Sequence, residues 1–231
     1  MNFFNPTEPI FRRKQEALDY QDRQGLLRLH LQIKDRTLLS SIYTRIDQVF
    51  VLWGLISAAI FITAQFAPIS WITQAIFWSV LTFIGTVATI ILTYFWVKVE
   101  RLRWVLYCWV VLMLAGVAIT DLGIFLGWGQ VLMHLSHLWL GLSALGYFCT
   151  GLGLRSRAFT VSGIIHLLGI ALLPYVVGWQ FLTTGLLMVG NLLIFAEIQW
   201  DMRPPIESYS LLTEAQKEFN QEQYRLRQAE L

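Results

Sequence analysis

The chain has 231 residues, 56% of them apolar and only 14% charged, against about 25% charged in an ordinary soluble domain. That balance excludes a water-soluble globule, and a net charge of +2 is too small to argue for a nucleic-acid partner. The charge is also unevenly spread: no Asp, Glu, Lys or Arg lies between Phe50 and Val97, and only Asp121 lies between Trp104 and Leu154.

A helix needs about 20 apolar residues to cross a hydrocarbon core of about 30 Å, and this chain has several such runs. The alternative, a closed barrel, requires strands that alternate polar and apolar residues. The run from Ile60 to Val97 does not alternate. The predicted fold is therefore all-α: a polytopic integral membrane protein, a bundle of six transmembrane helices with helical cytoplasmic tails.

In chain order, residues 1–48 read as a cytoplasmic or interfacial segment. The mixture of both signs of charge with Leu26, Leu27, Leu29 and Leu31 suits a helix lying on the membrane surface. Arg12, Arg13 and Lys14 would then face anionic headgroups. Leu38, Leu39, Ile42, Tyr43 and Ile46 follow helical spacing and predict a helix running into the first span. The first apolar run starts near Val49, too late for the core of a secretory leader, so none is expected.

Six spans follow, at 49–67, 71–97, 104–126, 130–153, 158–177 and 180–200. Two kinds of linker alternate between them. APIS (67–70), GWGQ (127–130) and VGWQ (177–180) carry no charge, whereas KVERLR (98–103) and the stretch around Arg155 and Arg157 are basic. Under the positive-inside rule both tails and both basic linkers are cytoplasmic, which puts all 17 Lys and Arg residues on one side. Trp71, Trp128 and Trp179 then mark outer helix ends, and Trp96, Trp104 and Trp200 inner ends, as amphipathic rings at the headgroup level do. Small residues that let helices approach recur in the spans, among them Gly54, Gly116, Gly146 and Gly163. No internal repeat is evident. Cys108 and Cys149 both sit in apolar runs and read as packing residues. Residues 201–231 form the second cytoplasmic tail: the prolines of MRPP are expected to stop the last span. TEAQ (213–216) matches a capping box that opens a C-terminal helix.

Polar side chains inside the spans are the candidate functional residues. Asp121 lies about 9 Å below the outer GWGQ turn, and His134 and His137 about 6 and 10 Å below it on the next segment. The three share one outer layer and could form an Asp–His clasp or part of a proton or metal path. A metal would lack an evident fourth ligand. A haem would want histidines on two helices at one depth, and the expected depth of His166 does not match that of His137. A chlorophyll-type pigment needs a single imidazole. His166 reads as a core histidine bonded to a neighbouring helix, and Asn191 as an interhelical amide. Glu197 should reach the interface or pair with Arg155, Arg157 or Arg203.

No HExxH, membrane-depth aspartate pair or phosphate-binding glycine loop occurs. GLSA (141–144) resembles the serine motif of rhomboid-type intramembrane proteases, but the sixth span has no histidine to activate Ser143. The leading expectation is a non-enzymatic subunit or factor that assembles, stabilises or regulates a larger membrane complex through its tails. The second is a small transporter or channel using Asp121, His134, His137 and His166. The third is a haem- or chlorophyll-binding protein. The expected location is a bacterial inner membrane, or the thylakoid membrane of a photosynthetic host.

Overall fold

A computed structural model describes residues 3–6, 8–33, 36–204 and 211–229, without the side chains of 30–40. In chain order its elements are β1 (Phe11–Arg12), α1 (Tyr20–Arg23), β2 (Leu27–Ile33), β3 (Arg36–Tyr43), α2 (Arg45–Phe66), α3 (Trp71–Val99) and α4 (Arg103–Phe125). Then come α5 (Gly129–Met133), α6 (Leu135–Leu154), α7 (Arg157–Leu172), α8 (Gln180–Glu197), β4 (Gln199–Trp200) and α9 (Glu214–Ala229). A 3-10 turn, Leu173–Tyr175, extends α7 around Pro174, whose ring nitrogen has no hydrogen to donate to the α-helical ladder.

Five helices are long and apolar enough to cross a membrane: α2, α3, α4, α7 with its 3-10 turn, and α8. Their outward faces expose Leu55, Ile76, Phe83, Ile91, Val111 and Leu168, a surface suited to lipid. The helices close into a ring. α2 packs on α8 and α3, α3 on α4, α4 on α6, and α6 on both α7 and α8.

Close approach within the ring depends on glycine. A Cβ on Gly146 would fall 2.5 Å from the Trp109 ring of α4, and one on Gly151 would fall 2.7 Å from Thr160 Oγ1 and 3.1 Å from its backbone nitrogen on α7. At the end of the bundle that carries the tails, Phe50, Tyr147, Phe159, Phe195 and Trp200 gather into an aromatic core. Phe159 and Phe195 stack with centroids 4.3 Å apart and planes 5° from parallel, and Trp200 stands edge-on to both.

The N-terminal tail departs from the predicted surface helix. Beyond the four-residue α1, its main element is the β2–β3 hairpin, which pairs Leu27 with Tyr43 and Ile33 with Arg36. The apolar residues 38–43 belong to a strand, and helix begins only at Arg45. The reason is local. Thr44 caps α2, its hydroxyl accepting from Asp47 N at 3.3 Å while Asp47 Oδ2 accepts from Thr44 N at 2.8 Å, and this capping box fixes the helix start there.

Two more expectations are corrected. The fourth apolar segment is broken at His134 into α5 and α6. The last long helix ends at Glu197, well before Pro204, because Gln199 and Trp200 leave it to pair with Arg12 and Phe11 of β1. The capping box at Thr213 is present: Gln216 N donates to Thr213 Oγ1 at 3.3 Å and Thr213 N donates to Gln216 Oε1 at 3.0 Å.

Candidate functional site

The polar residues near the turn at 127–130 are held separately. Asp121 on α4 accepts from Ser79 Oγ of α3 at 2.8 Å. The His134 and His137 rings lie 5.1 Å apart. His134 Nδ1 is 2.7 Å from the carbonyl of Gln130 at the break, and His137 Nδ1 is buried without a partner among the described residues. Among the described residues no group of three or more His, Cys, Asp or Glu side chains is placed to hold a metal.

Deeper in the bundle, His166 is fully buried. Its Nδ1 lies 2.8 Å from the Ser162 carbonyl one turn back, and its ring is 4.9 Å from that of Tyr147. Ser162 Oγ donates to Asn191 Oδ1 at 2.9 Å and ties α7 to α8. His166 Nε2 and Asn191 Nδ2 have no hydrogen-bond partner among the described residues. Cys108 of α4 and Cys149 of α6 are free thiols within hydrogen-bonding reach of each other.

The most extensive polar construction lies at the helix ends that adjoin the termini, where the two tails fold together into a cap. Glu100, buried after α3, accepts from Gln21 Nε2 at 2.8 Å and lies 3.6 Å from the Arg203 guanidinium. Asn220 of α9 donates to Gln21 Oε1 at 3.0 Å and accepts from Tyr20 N at 2.7 Å. Arg227 donates to Asp19 Oδ1 at 2.8 Å and to the Ala17 carbonyl at 2.7 Å. Asp201 accepts from Ser156 Oγ, Arg157 N, Arg157 Nε and Ala158 N, all within 3.0 Å. It thereby caps the start of α7, where backbone N–H groups lack intrahelical partners.

Arg157 is therefore matched by Asp201 and Arg203 by Glu100. Glu197, expected as a candidate for those arginines, is exposed and accepts from the Tyr43 hydroxyl. The basic trio divides as well. Arg13 is exposed, but Lys14 turns inward to donate to Asp47 Oδ2 at 2.9 Å and to the Ile42 carbonyl at 2.8 Å, and Arg12 joins β1.

Asp22 is the unusual member of the cap. Its Oδ1 accepts from Trp96 Nε1 at 2.8 Å. Burial of its carboxyl first, then the charges of Asp19 and Glu100, push its pKa from 3.8 up to about 8, so it is mostly protonated at neutral pH. Burial also raises Asp19, against the pull of Arg227. The residue as a whole keeps some surface open, because only the carboxyl end points inward.

Between the cap and the turns at the far end of the bundle lies a partly open cavity of about 170 Å³, walled by residues of α2, α3, α4, α6, α7, α8 and β4. Four of its hydroxyls are turned into the walls: Thr86, Thr89, Thr93 and Thr150 each donate at 2.8 Å to a carbonyl one turn back. Trp53 donates to Thr89 Oγ1 at 2.8 Å and Trp109 to Thr150 Oγ1 at 2.9 Å. The rest of the lining is mostly aromatic and aliphatic, with Ser57, Thr82 and Ser143 among it. The sequence alone did not single out this cavity or Asp22, since no local pattern distinguishes a Trp facing a void from one packed in a core.

Compared with known protein families, with curated proteins and with solved structures, the chain matches none.

Proposed function

We propose that this chain is a non-enzymatic multi-pass membrane protein, a stabilising or assembly subunit of a larger membrane complex, with the cap as its contact surface. In this reading six helices cross the membrane and both termini are cytoplasmic. The sixth span is α6, which carries no charged residue between Leu135 and Leu154. The confinement of all Lys and Arg residues to the tails and two linkers supports the orientation.

The observation that carries the reading is the tail cap. Its inward charges are matched, Asp19 with Arg227, Asp47 with Lys14, Asp201 with Arg157, so it is a folded surface and not a loose tether. The outward face of α9 exposes Glu214, Glu218 and Glu222 at four-residue spacing, with Lys217 beside Glu214 and Arg225 beside Glu222. A transport path is less favoured, because Asp121, the His134–His137 pair and His166 each bond within their own surroundings on different helices.

The test uses native membranes solubilised in mild detergent. The wild-type chain should migrate in native gels as part of a complex larger than itself, with its partner retained through purification. Replacing Glu218 and Glu222 with Lys should release that partner while leaving the thermal unfolding of the chain unchanged. Migration of the wild type as a lone chain would overturn the reading. Charge reversal is preferred to deleting 209–231, because deletion would strip the partners from Tyr20, Gln21 and Asp19.

A further inference from the structure

Two long helices end in the same way beside the cap. After α3, Leu102 N donates to the Val97 carbonyl at 2.7 Å, and after α6, Ser156 N donates to the Gly151 carbonyl at 3.0 Å. Each bond reaches back past the last turn and closes the helix around one residue in the left-handed conformation. That position normally belongs to glycine, because a side chain there crowds the following carbonyl. Here it is Arg101, with φ 55°, after α3 and Arg155, with φ 54°, after α6. Among the described residues these are the only two besides glycine with positive φ. The two ends are neighbours, for Arg203 of the C-terminal tail donates to the Gly153 carbonyl at 3.1 Å and lies 3.6 Å from Glu100.

Burial does not explain the arginines, since both are exposed. The carboxylates at the two turns are engaged elsewhere: Glu100 lies beside the Arg203 guanidinium and Asp201 is 2.8 Å from that of Arg157. The Arg155 guanidinium stands 5.5 Å over the Phe3 ring, a contact made through its face that leaves N–H donors at its edge. Lys98 and the exposed Arg103 add positive charge on either side of Arg101. Immediately beyond the turns the surface becomes apolar, with Trp104 and Tyr107 on α4 and Leu152 on α6 all exposed. Exposed Trp and Tyr rings at a helix end mark the headgroup level of a bilayer. The arginine turns therefore sit at the depth of the lipid phosphates.

We propose that these two turns bind anionic phospholipids, of which phosphatidylglycerol is the simplest. Each guanidinium grips a headgroup phosphate bidentately, and the acyl chains lie along the exposed apolar faces of α4 and α6. The proposal rests on the long helices crossing a bilayer, a reading it shares with the function proposed above. It gives the strained backbone a reason, because glycine would relax the turn but offer the phosphate no planar fork of donors. Phosphatidylcholine is the weaker ligand, since its headgroup brings a second cation beside Lys98 and Arg103.

The test places the full chain, with no other protein, in nanodiscs of equal parts phosphatidylglycerol and phosphatidylcholine. Native mass spectrometry then counts the lipids of each kind that stay bound. The wild type should retain phosphatidylglycerol in preference. Arg101→Gly and Arg155→Gly should each lower that preference about fivefold, the attraction of one basic side chain to an anionic surface. Glycine is the ordinary occupant of such a turn, so both variants should melt in phosphatidylcholine discs no lower than the wild type. Arg225→Ala, which removes an exposed arginine from α9, should leave the preference unchanged. Should a glycine variant fail to fold, Arg101→Gln and Arg155→Gln decide by the same count.

A wild type without lipid preference would overturn the proposal and assign the turns to an acidic protein segment instead. So would glycine variants that keep the preference, or an equal loss in Arg225→Ala, which net charge alone would produce. Glycerol phosphate in the buffer should not displace the bound lipid, and displacement at millimolar concentration would make a soluble phosphate ester the ligand and refute the lipid assignment. A chain that does not co-elute with the discs would remove the membrane reading itself, a failure separate from any change in lipid preference.

Discussion

Asp22→Asn should tighten the cap and flatten its response to pH. The folded carboxyl titrates at about 8 instead of 3.8, so between those values the opened cap has released a proton that the closed cap retains. Stability of the closed cap therefore falls as pH rises from about 4 to about 8 and is level above that range. At about 1.4 kcal/mol per pKa unit, the penalty at pH 7 would be about 4 kcal/mol for a wholly enclosed group. Part of Asp22 stays open to water, and solvent screening brings the figure to about 2 kcal/mol. Asparagine keeps the oxygen that accepts from Trp96 Nε1 and carries no charge at any pH. Hydrogen exchange of residues 12–24 and 214–228 in nanodiscs between pH 5 and pH 9, corrected for intrinsic rates, reads the opening free energy directly. The wild type should lose protection as pH rises and the variant should lose far less, Asp19 supplying the remainder through its own raised pKa. Protection that grows from pH 5 to pH 8, or identical profiles for the two proteins, would refute the reasoning.

Asp201→Ala should destabilise the protein by about 3–5 kcal/mol in denaturant titrations, because it leaves the buried N-terminus of α7 and Arg157 without their acceptor. Asp121→Asn should cost less than about 1 kcal/mol by the same assay, since the amide oxygen still accepts from Ser79. Gly151→Ala should lower the unfolding free energy by about 1–3 kcal/mol through overpacking against the α7 backbone. Gly190→Ala, where nothing lies within 4 Å of a new Cβ, should be near neutral and serves as its control.

The membrane helices were legible because lipid imposes a rule that local sequence must obey: a charge-free run of sufficient length has to be helical. Ser70 and Thr213 mark the starts of α3 and α9 through side chains that act over three residues. The break at His134 was not legible. Nothing in GQVLMHLSHLW lowers helix propensity at that position, and the interruption depends on how the turn after Gly127 aims the chain. The hairpin at 27–43 was not legible because Leu38, Leu39, Ile42, Tyr43 and Ile46 follow helical spacing, and the capping box at Thr44 that starts the helix only at Arg45 lies inside that pattern. Pairings such as Gln21 with Glu100 and Asp19 with Arg227 join residues far apart in sequence, so one chain read alone offers no signal for them.

The cap and the central cavity, a slot between the helices, share boundary residues. Trp96 lines the slot and also a smaller polar compartment in the cap, and its indole is held by Asp22. Trp200 occupies the same boundary from β4, which is itself tied to the N-terminal tail through β1. The floor of the slot is therefore built from the two tails and not from the membrane helices alone. A partner that grips the tails, or a proton lost from Asp22, acts on the same few side chains that close the cavity. The cap thus does more than cover helix ends: its side chains also wall the cavity between the helices.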